Sequence, residues 1–373
     1  MKGKKLFAAC SAIAIGVTAL SLAACKDPNP PASPPPPADN FGLPVAATGH
    51  YIKDSDLIAD GNTRYLLYTT NETTGETDNA IAVSKGTFEE GEGKGWKYGE
   101  GKIVLSGSLG KWDENIGSAS LVKGEFALGE SNYSWLMAYC ATKEASERQY
   151  NIGLAVAEAP DGEWTKISET PLVVFDADVY GATSMGCYAP SLVNLDKSGN
   201  IRLFYTYADA YGHFAKFVDF DASDLGAIEL SGEVQCPNNG QISGGDSVNM
   251  FPNADFAYDA ATKKFYTVKD YSPAAATKPN YAERIQLLNI EEKEFYTAEV
   301  GEGWKGLRTW DFSDTDDGAW ERIYGACIVC DAYGQIDGSK ALEIVYNVCE
   351  LEMDNENWEF TQNLKTFHYN PVA

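Results

Sequence analysis

One plan recurs five times along the chain, and it limits the available folds more than any other feature. Each copy begins with a polar or small residue, skips one position, and sets a second small or polar residue before an apolar run. A turn rich in Gly, Asp and Asn follows, then a second run rich in Tyr and Leu. The copies are DSDLIADGNTRYLLYTT from Asp54, SASLVKGEFALGESNYSWLMAYCAT from Ser118, APSLVNLDKSGNIRLFYT from Ala189, NADFAYDAATKKFYTVKD from Asn253 and GACIVCDAYGQIDGSKALEIVYNV from Gly325. Their starts lie roughly 64 to 72 residues apart. Short apolar runs joined by tight turns read as antiparallel hairpins. A third run follows most copies: NAIAVSK from Asn79, NIGLAVAE from Asn151, FAKFVDFD from Phe214 and RIQLLNI from Arg284. Repeated units of short antiparallel strands predict propeller blades. The spacing exceeds the ~40–50 residues of common propeller repeats, so long loops are expected. A β-sandwich with coincidental hairpins is the alternative; a parallel β-helix fits worse, because the turns are hairpin-like. The expected fold is all-β, a five-bladed β-propeller.

Composition agrees. The 21 Tyr and 35 Gly suit many strands with tight turns better than a helical bundle. The 54 acidic residues against 29 basic ones give a formal charge of −25, which repels phosphate backbones and argues against nucleic-acid binding.

The N-terminus reads as an export signal. Lys2, Lys4 and Lys5 precede an apolar run from Leu6 to Ala24, and Leu22-Ala23-Ala24-Cys25 has the form of a lipobox. Residues 1–24 are then a lipoprotein signal peptide, and Cys25 is the lipidated residue. Residues 25–40, including KDPNPPASPPPPADN, form an extended Pro-rich tether. Residues 41–373 are the propeller domain. The expected location is the bacterial cell envelope, with the chain anchored to a membrane through lipid. Lys26 in place of an Asp after Cys25 favours the outer membrane over the inner.

Six further cysteines, Cys140, Cys187, Cys236, Cys327, Cys330 and Cys349, belong to the domain. Export permits disulfides, so buried thiols and one to three bridges both remain open. The offset of three between Cys327 and Cys330 puts them on opposite strand faces, against a mutual bond. The lone CxxC lacks a second pair or a nearby His, so no metal site and no cofactor is expected.

Several segments resemble glycoside hydrolase family 43 and its five-bladed relatives. KDSDLIADGNTRYLLYTT is similar to that family's first blade, where an Asp opens the innermost strand. NIGLAVAEAPDGEWTKI at 151–167 is similar to its second, and RLFYT fits its third. The resemblance covers about residues 45–370 and implies action on glycans. It aligns the family's base with Asp54, its proline with Ser55, its second Asp with Ser120 and its acid Glu with Tyr188. One of the three carboxyl positions is therefore kept.

Glycoside hydrolysis needs two carboxyls flanking the bond, and inner strands of different blades can supply them across a channel. Asp54 is the expected base, and Asp255, Asp113 and Glu114 are candidates for the acid. Asp and Asn at strand starts also tie blades through backbone amides, and that role alone would account for Asp56 and Asp255. Asp56, Trp112, Tyr188, Tyr211 and His213 are candidate substrate contacts, and Trp310 is a further aromatic placed to stack on sugar. Tyr68, Tyr139, Phe204 and Tyr205 read as core. Two functions follow: a glycosidase cutting polysaccharide side chains, or a glycan-binding surface propeller without the acid. A protein-interaction platform is a third, favoured by a narrow, plugged channel. Polysaccharide or oligosaccharide is the partner of the first two.

Overall fold

A computed structural model of the chain describes residues 43–371, except 45, 47–49, 74–76, 91–94, 144–148, 177–184, 242–249, 272–283, 296–302, 316–321 and 350–362. The signal, Cys25 and the tether lie outside the described residues. Among the described residues no helix is long and apolar enough to cross a membrane.

Five antiparallel sheets follow one another in chain order, each one blade. Blade one holds β1 (Ile52–Asp60), β2 (Thr63–Thr70), β3 (Ala80–Glu89), β4 (Gly95–Tyr98) and β5 (Lys102–Ser106). Blade two holds β6 (Asn115–Leu128), β7 (Ser131–Thr142), β8 (Asn151–Ala157) and β9 (Thr165–Lys166). Blade three holds β10 (Gly186–Asn194), β11 (Asn200–Asp209), β12 (Gly212–Asp221) and β13 (Val234–Gln235). Blade four holds β14 (Asp255–Asp259), β15 (Lys264–Tyr271), β16 (Arg284–Glu291) and β17 (Lys305–Asp311). Blade five holds β18 (Arg322–Ile328), β20 (Leu342–Cys349) and β21 (Asn363–Tyr369), while the short β19 (Cys330–Asp331) leaves it to pair with β1. This is the five-bladed propeller expected from the repeat.

The core is divided among the blade interfaces. Ile58, Leu121 and Met137 pack between blades one and two; Val122, Leu136 and Leu203 pack between two and three. Phe204 stacks on Phe256 at 4.2 Å between three and four. Trp310 stacks on Phe367 at 5.2 Å between four and five. Leu57 and Leu66 meet Cys327 and Val345 to close five onto one. Tyr68, Tyr139, Phe204 and Tyr205 are core, as expected, but Trp310 is buried too and offers no face to a sugar. All six domain cysteines are buried free thiols, which resolves that alternative.

The repeat marks a backbone feature. Its five starting residues, Asp54, Ser118, Ala189, Asn253 and Gly325, all have left-handed φ, from 24° to 56°. Asp and Asn tolerate that region best among side-chain-bearing residues; for Ala it costs about 1 kcal/mol. The turn it makes aims the residue two places on at the next blade. Asp56 accepts the Leu121 amide at 3.2 Å, and Ser120 the Leu192 amide at 3.1 Å. Ser191 accepts the Phe256 amide at 3.0 Å, and Asp255 the Ile328 amide at 2.8 Å. The Cys327 sulfur takes the Leu57 amide and closes the ring. Five side chains thus satisfy five inner-strand amides, one in each blade.

A second ring lies one strand out. Thr69 accepts the Ser118 amide at 2.9 Å, Cys140 the Ala189 amide, Thr206 the Ala254 amide at 3.4 Å and Asp270 the Gly325 amide at 2.7 Å. Asn347 donates to the Ile52 carbonyl at 2.9 Å.

The far end of the channel is sealed by the stretch 330–336. Cys330 and Asp331 pair with blade one. The Ala332, Tyr333 and Gly334 carbonyls then accept the amides of Lys123, Asn194 and Tyr258, one from each of blades two, three and four. Gly334 has φ +70°, and a Cβ there would stand 2.4 Å from the Leu192 carbonyl oxygen. Only glycine fits.

Candidate functional site

With one end sealed, the channel opens only where the inner strands begin. The cavity between the inner strands measures about 40 Å³ and is lined by the five left-handed residues together with Ser55, Asp56, Ser120, Pro190 and Asp255. That is room for water. A pocket for a drug-sized ligand is about ten times larger. A glycan that uses this channel must therefore lie across its mouth.

Asp54 is the sole carboxylate among the five left-handed residues and is half-buried. Its charge is felt by Cys140, Tyr188 and Asp270, which gather around it. Burial, with help from Asp54, pushes the Cys140 thiol up to about 12, so it stays protonated. Lys53 stands next in the chain, with its Nζ 4.5 Å from the centre of the Tyr51 ring.

Tyr188 lies one residue before the left-handed Ala189 and is 5 % exposed. This corrects its reading as a stacking surface: the ring is core, and only its hydroxyl reaches polar partners. That hydroxyl is 2.7 Å from His213 Nδ1 and takes the Asn253 amide. Burial, then Asp270, raise its pKa well beyond the range of a proton donor at neutral pH. His213 is half-buried, and burial lowers its pKa. The hairpin between β11 and β12 carries Tyr211, 84 % exposed, two residues from His213 and on the mouth side.

Asp56 and Asp255 do meet in the channel, but as members of the amide-binding ring. Burial and then Asp255 push the Asp56 carboxyl up to about 8; burial raises Asp255 as well. Asp56 is buried, and the half-buried Asp255 spends its two oxygens on the Ser191 hydroxyl and the Ile328 amide; the space they line has room only for water, which speaks against Asp255 as acid and Asp56 as a substrate contact. Asp113 and Glu114 are not brought to the channel. Asp113 is buried against Lys166 of the outermost strand β9 and near the Tyr139 hydroxyl, and Glu114 accepts the Gly110 amide at 2.7 Å. Trp112 stacks on Tyr139, 6.0 Å between ring centres, and so faces protein. The register also moves one assignment: the counterpart of Asp54 in blade two is Ser118, while Ser120 matches Asp56.

Asp270 is a group that the sequence reading passed over. It is 6 % exposed, accepts the Gly325 amide and the Asn253 side-chain amide, and is pushed up to about 7, by burial first and by Asp54 among lesser causes. Its neighbour Lys269 is buried, donates to the Met250 carbonyl and is lowered to about 7 by burial. The sign lay in KFYTVKDY, where Lys269 and Asp270 stand side by side near the end of a largely apolar strand.

The fold is that of the family 43-like glycoside hydrolase propellers. An endo-arabinase from Bacteroides thetaiotaomicron VPI-5482 superimposes with a TM-score of 0.52 at 14 % identity, over 89 % of this chain and 99 % of that one. An α-L-arabinofuranosidase from Lactobacillus brevis does so with a TM-score of 0.53 at 11 % identity, over 88 % and 94 %. A family-43 glycoside hydrolase described as thermostable gives a TM-score of 0.51 at 15 % identity, over 89 % and 94 %. No protein-family model and no curated protein matches the sequence. At such identities the likeness is one of fold.

Proposed function

We propose that this chain is a glycan-binding propeller, exported and lipid-anchored through Cys25, which holds carbohydrate across the channel mouth without two-carboxyl hydrolysis. The observation that carries the reading is Tyr188: where the family resemblance sets the acid Glu, a buried phenol is bonded to His213 and the Asn253 amide. Its hydroxyl has no route to a glycosidic oxygen. The half-buried Asp54 and the exposed Tyr211 ring supply a carboxylate acceptor and a flat face, which suit sugar hydroxyls and sugar C–H faces. The glycan-acting proteins that share the fold make carbohydrate the ligand class to test first. The plugged, narrow channel favours a surface platform, whereas the exposed Tyr211 ring at the mouth favours a glycan ligand.

One observation favours hydrolysis instead. Asp270 is raised to about 7 and feels the charge of Asp54, as an acid paired with a base would. Against it, both its oxygens already accept hydrogen bonds inside the protein. The domain from Asp39 onward, with Asp54→Asn and Asp270→Asn versions, is incubated with aryl glycosides and plant and algal polysaccharides. Binding without sugar release supports the proposal. Release abolished by both substitutions establishes Asp270 as the acid. Metabolic labelling with palmitate, lost in Cys25→Ala, tests the anchor.

A further inference from the structure

Tyr188 and His213 form a unit that fixes what the mouth offers to a ligand. The Tyr188 hydroxyl has one hydrogen. Its oxygen accepts the Asn253 backbone amide, and His213 Nδ1 lies 2.7 Å away. The phenol is buried, so its O–H must find an acceptor or cost about 1–3 kcal/mol. Among the described residues the imidazole nitrogen is the acceptor in reach. A nitrogen that accepts carries no proton, so the proton of a neutral ring sits on Nε2. The two rings meet edge to face, 6.0 Å between centres at 86°, which holds the imidazole plane as well as its tautomer. Nε2 has no partner among the described residues, while the ring keeps part of its surface exposed.

We infer that Tyr188 is a positioning residue that locks His213 as the Nε2–H tautomer, making His213 a fixed hydrogen-bond donor to an acceptor oxygen of the glycan bound at the mouth. The inference rests on the glycan-binding reading for the ligand, but the lock itself does not. Asp54 accepts and His213 donates, so the mouth recognises a sugar through groups of both kinds. A carboxylate alone reads only hydroxyl hydrogens; the added donor selects for a ring oxygen, a hydroxyl oxygen or a uronate in register with it.

Two measurements test it. Long-range proton–nitrogen NMR on the imidazoles of the ligand-free domain reads the tautomer directly. The expected spectrum shows His213 neutral with Nε2 protonated at pH 7, and a mixed or Nδ1–H state in Tyr188→Phe. An Nδ1–H or charged wild-type ring overturns the lock, whatever the protein binds. Affinity electrophoresis in soluble polysaccharides then reads the donor. His213→Gln, whose amide can place an N–H near Nε2, should keep binding within about threefold, and His213→Ala should lose tenfold or more. Equal binding by wild type and His213→Ala overturns the donor role. Absence of any wild-type retardation, with the tautomer as expected, counts against the glycan reading and leaves the lock standing.

Discussion

Replacing Asp56 with Asn should leave stability near that of the wild type at pH 5 and make the propeller more stable as pH rises. In the folded chain the Asp56 carboxyl is pushed up to about 8, by burial first and by the neighbouring charge of Asp255 second. Unfolded, it titrates near 4. Between those values the folded state binds the extra proton, so stability is fully present below about pH 4 and drains away as pH climbs through 8. The slope is at most about 1.4 kcal/mol per pH unit, so the three units from pH 5 to pH 8 bound the loss at about 4 kcal/mol. Asn keeps the oxygen that accepts the Leu121 amide and cannot ionise. Melting temperatures of wild type and Asp56→Asn, measured together from pH 5 to pH 9, should agree near pH 5. They should diverge upward to a few degrees or more near pH 8, up to about 8 °C at the bound. A difference that stays flat with pH, or a variant less stable at pH 8.5, would refute the argument that burial, aided by the charge of Asp255, holds Asp56 protonated in the fold.

Other outcomes follow from the rings and the plug. Ser191→Ala strands the Phe256 amide and removes a hydrogen bond to Asp255, so thermal unfolding should show a loss of about 2 kcal/mol; an unchanged melting temperature contradicts the ring. Gly334→Ala adds left-handed strain and a clash with the Leu192 carbonyl, a loss on the order of 3 kcal/mol seen in urea titration. The six thiols are buried, so Ellman's reagent should find none in the native domain and six after unfolding; rapid native labelling speaks against the packing described.

Much of this architecture was legible in the repeat, for a physical reason. The five repeat starts all have left-handed φ, because each inner strand makes the same local turn toward the next blade. The small or polar residue two places on was legible as a pattern. Its partner was not, since Asp56 bonds an amide 65 residues away in another blade. The plug hid similarly: CDAYGQI reads as a hairpin connection, and its bonds to four blades depend on closure. At the site, Asp54 was singled out because it starts the first repeat, although it lies third in β1 rather than at its first residue. Asp113 misled because KWDEN precedes an inner strand in sequence while its side chain turns outward to Lys166. Asp270 escaped because it ends a second strand, a position whose nearness to Asp54 exists only once blades four, five and one meet.

The central claim is that the mouth around Asp54 and Tyr188 binds carbohydrate and leaves it intact. Affinity electrophoresis of the domain from Asp39 onward in a panel of polysaccharides, with reducing-end release assayed on the same samples, tests it most directly. The account predicts retarded migration of the wild type in at least one polysaccharide, retardation weakened in Asp54→Ala, and no released sugar. Release of sugar by the wild type, abolished in Asp54→Asn, would contradict it and make the protein a hydrolase whose acid is not at position 188.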